Sequence, residues 1–299
     1  MIRLDPKFLV GSYPPIVTPF KDGKVDYDAY ASVLEFQIRE GTHGIVVNGT
    51  TSEPSTLTID ERNQLVKTAV QVVGRRIPVV AATGSQSHAE TVQLTEFAAN
   101  AGVDALLIVT PYYVRPPQRG LVAFYNDLGP RSNLPFMIYH IPGRTSVSVE
   151  LPTLEQIAER NENFVGIKHA VNDLAFVTHM LERFGPEFRV FVGLEEFTFP
   201  MMAVGALGTM NAVANLVPGR IAALANAVLA GNMAAARKLH FDLFELNQAV
   251  FFDTNPIAMK YMMKRLGIIK SNEHRLPMMP ATQELEKRLD QVLSRAGLV

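Results

Sequence analysis

The chain has 299 residues, no cysteine, and a charge balance of 28 Lys plus Arg against 29 Asp plus Glu. That length suits one large barrel domain or two ordinary domains. The missing cysteines exclude a disulfide scaffold, a thiolate nucleophile and thiolate metal sites, and the balanced charge leaves no basic footprint for nucleic acid.

Eight apolar runs punctuate the chain, at 13–17, 45–48, 78–82, 105–109, 135–139, 164–168, 189–192 and 207–211. Each is followed by a polar or glycine-containing turn. The runs are nearly continuous rather than alternating, as parallel strands covered on both faces require. Helical patterns separate them, over 26–40, 58–72, 87–101, 118–128, 153–160, 174–184 and 195–205. Thr58 with Glu61, and Ser87 with Glu90, have the spacing of capping boxes. This alternation predicts an α/β fold, a closed (β/α)8 TIM barrel over 1–231. From Ile221 onward the pattern is helical only, over 221–229, 233–247, 257–266 and 282–293, which predicts a C-terminal helical extension over 232–299. No apolar stretch reaches the roughly 20 residues of a membrane-spanning helix. Met1 to Lys7 lack the apolar segment of a secretory leader. With no cysteine, the expectation is a cytoplasmic protein with no membrane partner.

In a barrel of this kind chemistry sits at the C-terminal ends of the strands. Lys168 is the one amine inside a strand run. Buried there, an ammonium is costly unless paired or neutralised, and the free amine is a nucleophile for carbonyls. A strand-end lysine that snorkels to solvent is the plainer alternative. Tyr139 ends the preceding run, where its hydroxyl suits proton transfer as well as capping a core. Thr50 and Thr51 lie in a loop whose amides and hydroxyls suit a carboxylate. Arg144 suits a bidentate carboxylate clamp or a place on the surface. Tyr112 and Tyr113 are adjacent, so extended backbone sends them to opposite sides, one of them toward a partner chain. Metal is not expected: the 7 histidines form no His-x-x-x-His pair, although His140 and His169 directly follow neighbouring runs. Gly205 and Gly208 lack the third glycine of a dinucleotide loop. Glu195 and Glu196 read most simply as charges favoured at a helix N-terminus.

More specific than any of these is a set of motifs. They are Gly49-Thr50-Thr51-Ser52-Glu53, Val109-Thr110-Pro111-Tyr112-Tyr113, Tyr139-His140-Ile141-Pro142-Gly143-Arg144-Thr145, Gly166-Ile167-Lys168 and Asn255-Pro256-Ile257-Ala258-Met259-Lys260. Almost end to end, the chain resembles the dihydrodipicolinate synthase and N-acetylneuraminate lyase family of Schiff-base aldolases. The resemblance implies a covalent imine between Lys168 and a small 2-oxo acid such as pyruvate, with no other cofactor. It implies Tyr139, Thr50 and Tyr113 as the proton relay, Tyr113 being donated across a dimer interface of a homodimer or homotetramer. It implies Thr51 as the carboxylate holder, Arg144 as the clamp for a second substrate such as aspartate semialdehyde, and Gly193 and Met210 as pocket wall. Ser52, His169, Glu195 and Glu196 depart from the family pattern, as does Met210, where a smaller branched residue is usual. His169, Glu195 and Glu196 are therefore candidate specificity residues. His169 and Met210 leave open dehydration or deamination of a sugar-derived or hydroxyproline-derived 2-oxo acid through the same imine. A non-catalytic carboxylate-binding paralogue is the third reading.

Overall fold

The computed structural model describes residues 1–299. Its barrel strands are β1 (Gly11–Ser12), β2 (Ile45–Val47), β3 (Val79–Ala82), β4 (Ala105–Val109), β5 (Phe136–His140), β6 (Phe164–His169), β7 (Arg189–Val192) and β8 (Gly208–Thr209). All eight run parallel, in the order β1-β8-β7-β6-β5-β4-β3-β2. Closure between β1 and β2 comes just after β1. Pro15 bridges Val46, while the amide of Ile16 donates to the carbonyl of Val46 and the amide of Val46 to that of Pro14, both at 2.9 Å. The first predicted run thus lies in the barrel wall, but Pro14 and Pro15 have no N–H to donate and regular pairing stops at Ser12.

A helix follows each strand: Tyr27–Arg39, Ile59–Val73, His88–Ala101, Gln118–Leu128, Leu151–Arg160, Leu174–Phe184, Thr198–Ala203 and Pro218–Leu229. Eight strand–helix units make this a (β/α)8 barrel. Thr58 and Glu61 form both bonds of a capping box. The second expected box forms by half: Ser87 caps the Glu90 amide, but the Glu90 carboxylate bonds the Ser85 hydroxyl instead. The helix expected over 195–205 splits into a 3-10 turn, Glu195–Phe197, and the short helix Thr198–Ala203. Pro200 falls in that helix's first turn, where its missing N–H is harmless. Met233–Asp242, Phe244–Ala249, Ile257–Arg265 and Gln283–Arg295 follow the eighth unit. A turn at Leu243 breaks the helix expected over 233–247 and brings the Asn247 side chain to the carbonyl of Glu195, 3.5 Å away.

Strand side chains alternate between two cores. Val46, Val80, Leu107, Met137, Tyr139, Val165 and Phe191 fill the barrel. Val47, Ile108, Ile138, Ile167 and Val192 face the helices. The N-terminal mouth is stopped by Leu4 and Phe8, held by buried Arg189, whose guanidinium donates to the carbonyls of Phe8 and Asp5 at 3.1 Å each.

One irregularity aims the site. Phe136 pairs with Phe164 but Met137 pairs with Gly166, so Val165 is the extra residue of a β-bulge. A one-residue insertion reverses the phase of a strand. Val165 and Lys168 therefore both point into the barrel, which regular alternation forbids. Gly166 makes this possible, because a Cβ there would sit 2.1 Å from the carbonyl oxygen of Arg189. The Gly166→Ala substitution is expected to cost about 3 kcal/mol through overpacking against backbone. A lower urea midpoint, with activity lost beyond the fraction unfolded, checks it.

Candidate active site

Where β5, β6 and β7 end, a cavity of about 40 Å³ opens at the C-terminal mouth. Lys168 is 3% exposed and its Nζ lies 4.1 Å from the centroid of the Tyr139 ring. Tyr139 and Lys168 are register partners on neighbouring strands, which puts phenol and amine side by side. The Thr50 hydroxyl donates to the Tyr139 hydroxyl at 3.3 Å, leaving the tyrosine O–H free to donate into the cavity. Gly193 stands opposite, and a Cβ there would lie 3.0 Å from Cε of Lys168 and 2.8 Å from Cβ of Ala170. Only glycine leaves the lysine stem its channel. Met210 is buried in the same wall.

The threonines sit in a 3-10 turn, Thr50–Ser52, that follows β2. Its first amides have no acceptor within the turn. Ser52 and Thr18 tie the turn to the β1 loop, the Ser52 hydroxyl donating to the Ile16 carbonyl at 2.5 Å and that of Thr18 to the Ser52 carbonyl at 2.8 Å. Glu53 ends the turn at φ 56°. Its fully buried carboxylate accepts from Lys260 Nζ at 2.8 Å and lies 2.9 Å from His274 Nδ1, and both partners belong to the extension. From the same segment Asn255 enters the cavity, its side-chain amide donating to the Thr51 hydroxyl oxygen at 3.0 Å. With its oxygen accepting from Asn255, the Thr51 O–H is left to donate to another acceptor.

An outer cavity of about 330 Å³ adjoins the inner one, sharing Thr50, Ile141, Arg144 and Asn255 with it. Arg144 stands between the two on the short helix Pro142–Thr145, its guanidinium 3.4 Å from the Asn255 carbonyl. Tyr112 lines the outer cavity.

The structure brings Lys168, Tyr139, Thr50, Thr51, Arg144, Gly193, Met210 and Glu195 together around one cavity. Three of the sequence-predicted site residues lie elsewhere. Tyr113 is 87% exposed at φ 72° and lines neither cavity of its own chain. Glu196 is half-buried outside the lining. As for specificity, His169 is corrected by period-two alternation: it turns to the helix layer, its Nδ1 3.2 Å from that of His140 and both rings against Phe176. Its motivation for an elimination reaction goes with it. No group of three or more His, Asp or Glu side chains converges to hold a metal. Glu195 also departs from expectation. It does open the 3-10 turn, but its carboxylate is buried and accepts from the Ala212 amide at 2.6 Å. Burial raises this carboxyl to about 7. Asn255 and Phe251 are among the lining residues that sequence reasoning missed. The Asn255-Pro256 motif was the available signal for the first.

Fold and site together define an aldolase-type lyase on a (β/α)8 barrel. The model of the dihydrodipicolinate synthetase family matches residues 8–296. The 4-hydroxy-tetrahydrodipicolinate synthase of Thermus thermophilus is 40% identical over 290 residues, covering 97% of each chain. A solved dihydrodipicolinate synthase from Acinetobacter baumannii, complexed with pyruvate, superposes with a TM-score of 0.94 at 34% identity, over 97% of this chain and 100% of that one. A structure described as a monomeric dihydrodipicolinate synthase variant does so with a TM-score of 0.94 at 34% identity, over 98% of both. The chain belongs to the dihydrodipicolinate synthetase family.

Two predictions follow from these buried groups. Removing one partner of a buried ion pair leaves a charge uncompensated, so Lys260→Met is expected to cost about 3–5 kcal/mol. Combining it with Glu53→Gln should cost less than the sum of the two, read as a double-mutant cycle in urea. Burial lowers His140 and His169 from 6.5 to about 4, and for His140 the neighbouring ring adds to the effect. As pH falls, the unfolded chain is then protonated first. The pair's contribution is complete above about pH 6.5 and is lost as pH falls toward 4. In a His140→Asn/His169→Asn variant the stability slope between pH 6.5 and 5 should flatten.

Proposed function

We propose that Lys168 attacks the keto carbon of pyruvate to form a Schiff base, whose enamine adds to an aldehyde such as aspartate semialdehyde. In reverse, the same groups cleave a 2-oxo acid and release pyruvate. The observation that carries this reading is the enclosure of the Lys168 amine with the Tyr139–Thr50 hydroxyl pair around a small cavity. At about 40 Å³ the inner space beside the amine is small, which favours a small acid over a large one. Anything longer must extend past Arg144 into the outer cavity.

Thr51 and the amides of its turn hold the carboxylate, and binding energy at that end presents the ketone to the amine. Addition gives a carbinolamine, and Tyr139 moves protons between its oxygens and the Thr50 hydroxyl. Loss of water gives the protonated imine. This draws electrons from the adjacent methyl, which loses a proton to become the enamine carbon. Arg144 clamps the carboxylate of the second substrate. Gly193 and Met210 shape the wall. The relay is completed by Tyr113 from a second copy, in a homodimer or a homotetramer. Its near-complete exposure beside Val114, itself 62% exposed, supports that reading. Balanced charge fits a cytoplasmic setting with small-molecule substrates and no nucleic-acid partner.

Borohydride reduction in the presence of pyruvate should leave one adduct, mapped by mass spectrometry to Lys168 and missing from Lys168→Ala. An adduct on any other lysine, or none, defeats the proposal. Tyr139→Phe is expected to lower kcat by about 10²-fold or more with the fold intact. Tyr113→Phe should lower kcat also. If the tyrosine is donated between subunits, an inactive mixture of Tyr113→Phe and Lys168→Ala chains regains activity on subunit exchange.

A further inference from the structure

The Schiff-base sequence has a charge to account for. A neutral amine and a neutral ketone become a cationic imine, so one net proton must be supplied inside a closed cavity. The Tyr139–Thr50 pair passes protons along but holds no extra one. Among the residues lining the inner cavity Glu195 is the one carboxyl. Its environment is unusual for an acid. It is 3% exposed, one oxygen accepts from the Ala212 amide, and the other, Oε2, has no partner. No cation lies within ion-pair distance of it, unlike Glu53 with Lys260. A structural carboxylate this deep is normally paired.

We infer that Glu195 is the charge-balancing residue of the reaction: it holds a proton while Lys168 is a free amine, yields it as the imine forms, and remains as the carboxylate facing the imine cation. The inference rests on the Schiff-base reading above. The step balances. The carbinolamine C–O bond breaks, and its hydroxyl leaves as water with the proton of Glu195. The nitrogen lone pair closes the C=N bond. The products are one imine cation, one carboxylate and one water. When the imine is hydrolysed in the last step the carboxylate takes the proton back.

Burial raises the Glu195 carboxyl to about 7, and the positive charge of Lys168 opposes that rise, so the coupling has the required sign. The other titratable groups around it are few. Tyr139 and Arg144 share the cavity lining, Glu196 is on its own turn, and the helix Phe244–Ala249 presents the uncharged Asn247. The Ala212 loop offers only a backbone amide.

The test isolates the first half-reaction. Full-length protein is mixed with pyruvate alone, quenched with borohydride at timed intervals across pH 5.5–9, and read by intact mass. The wild type should form imine more slowly as pH rises through the neutral range. In Glu195→Gln, which keeps the shape and cannot hold the proton, that pH limb should vanish and imine formation should slow by about 10- to 100-fold. Glu195→Asp should restore the limb in part, with KM for the aldehyde little changed in both. An unchanged rate and pH profile in Glu195→Gln overturns the inference while the adduct on Lys168 still upholds the Schiff base. An effect confined to the aldehyde KM also overturns it, making Glu195 a specificity residue. No adduct in the wild type at any pH removes the Schiff-base reading itself, and the inference with it.

Discussion

The orientation of a single side chain decides where the candidate site has its amine, and one inserted residue sets that orientation. With Val165 as an extra residue opposite β5, β6 reverses phase and presents Lys168 to the barrel interior. There the amine meets the ring of Tyr139, its register partner. Without the insertion the lysine would face the helix layer, where Phe176 and the two buried histidines now sit. Gly166 is the local condition for the insertion, since β7 backbone fills the space a side chain would need.

The rest of the site is arranged around that amine by loops, and the loops are anchored from behind. The extension contributes Lys260 and His274 to the Glu53 carboxylate and Asn255 to the Thr51 hydroxyl. It is therefore part of the active-site wall as well as an outer covering. A buried ion pair adds little net stability beyond what an apolar pair of the same shape supplies, yet it tolerates few geometries. That property suits a threonine turn whose hydroxyls must be aimed. The N-terminal segment closes the opposite mouth, and Arg144 stands between the inner and outer cavities at the open one.

Most of the site was legible because strand ends are legible. A run of apolar residues stops where the backbone leaves the barrel, and this points to Lys168, Tyr139, Thr50, Thr51 and Gly193 without any contact information. His169 was nominated instead by its departure from the family pattern, and was misplaced because a pattern does not say which face of a strand a side chain takes. Glu195 was read as a helix-start charge, since sequence gives the spacing of a carboxylate and not its burial. Asn255 was overlooked as a site residue because it lies 87 positions past Lys168, in a segment with no strand to mark it.

The amino-acid order by itself determined the eightfold alternation, the helical tail, the family and the one amine suited to carbonyl chemistry. These follow from local periodicity and from motifs whose residues are close in the chain. Tertiary structure alone decided which way that amine points, that the tail reaches back to the threonines, and that Glu195 is buried with no counter-ion. Each of those depends on what lies opposite in space, on register, burial and approach between distant segments, and a linear pattern carries no record of its opposite side.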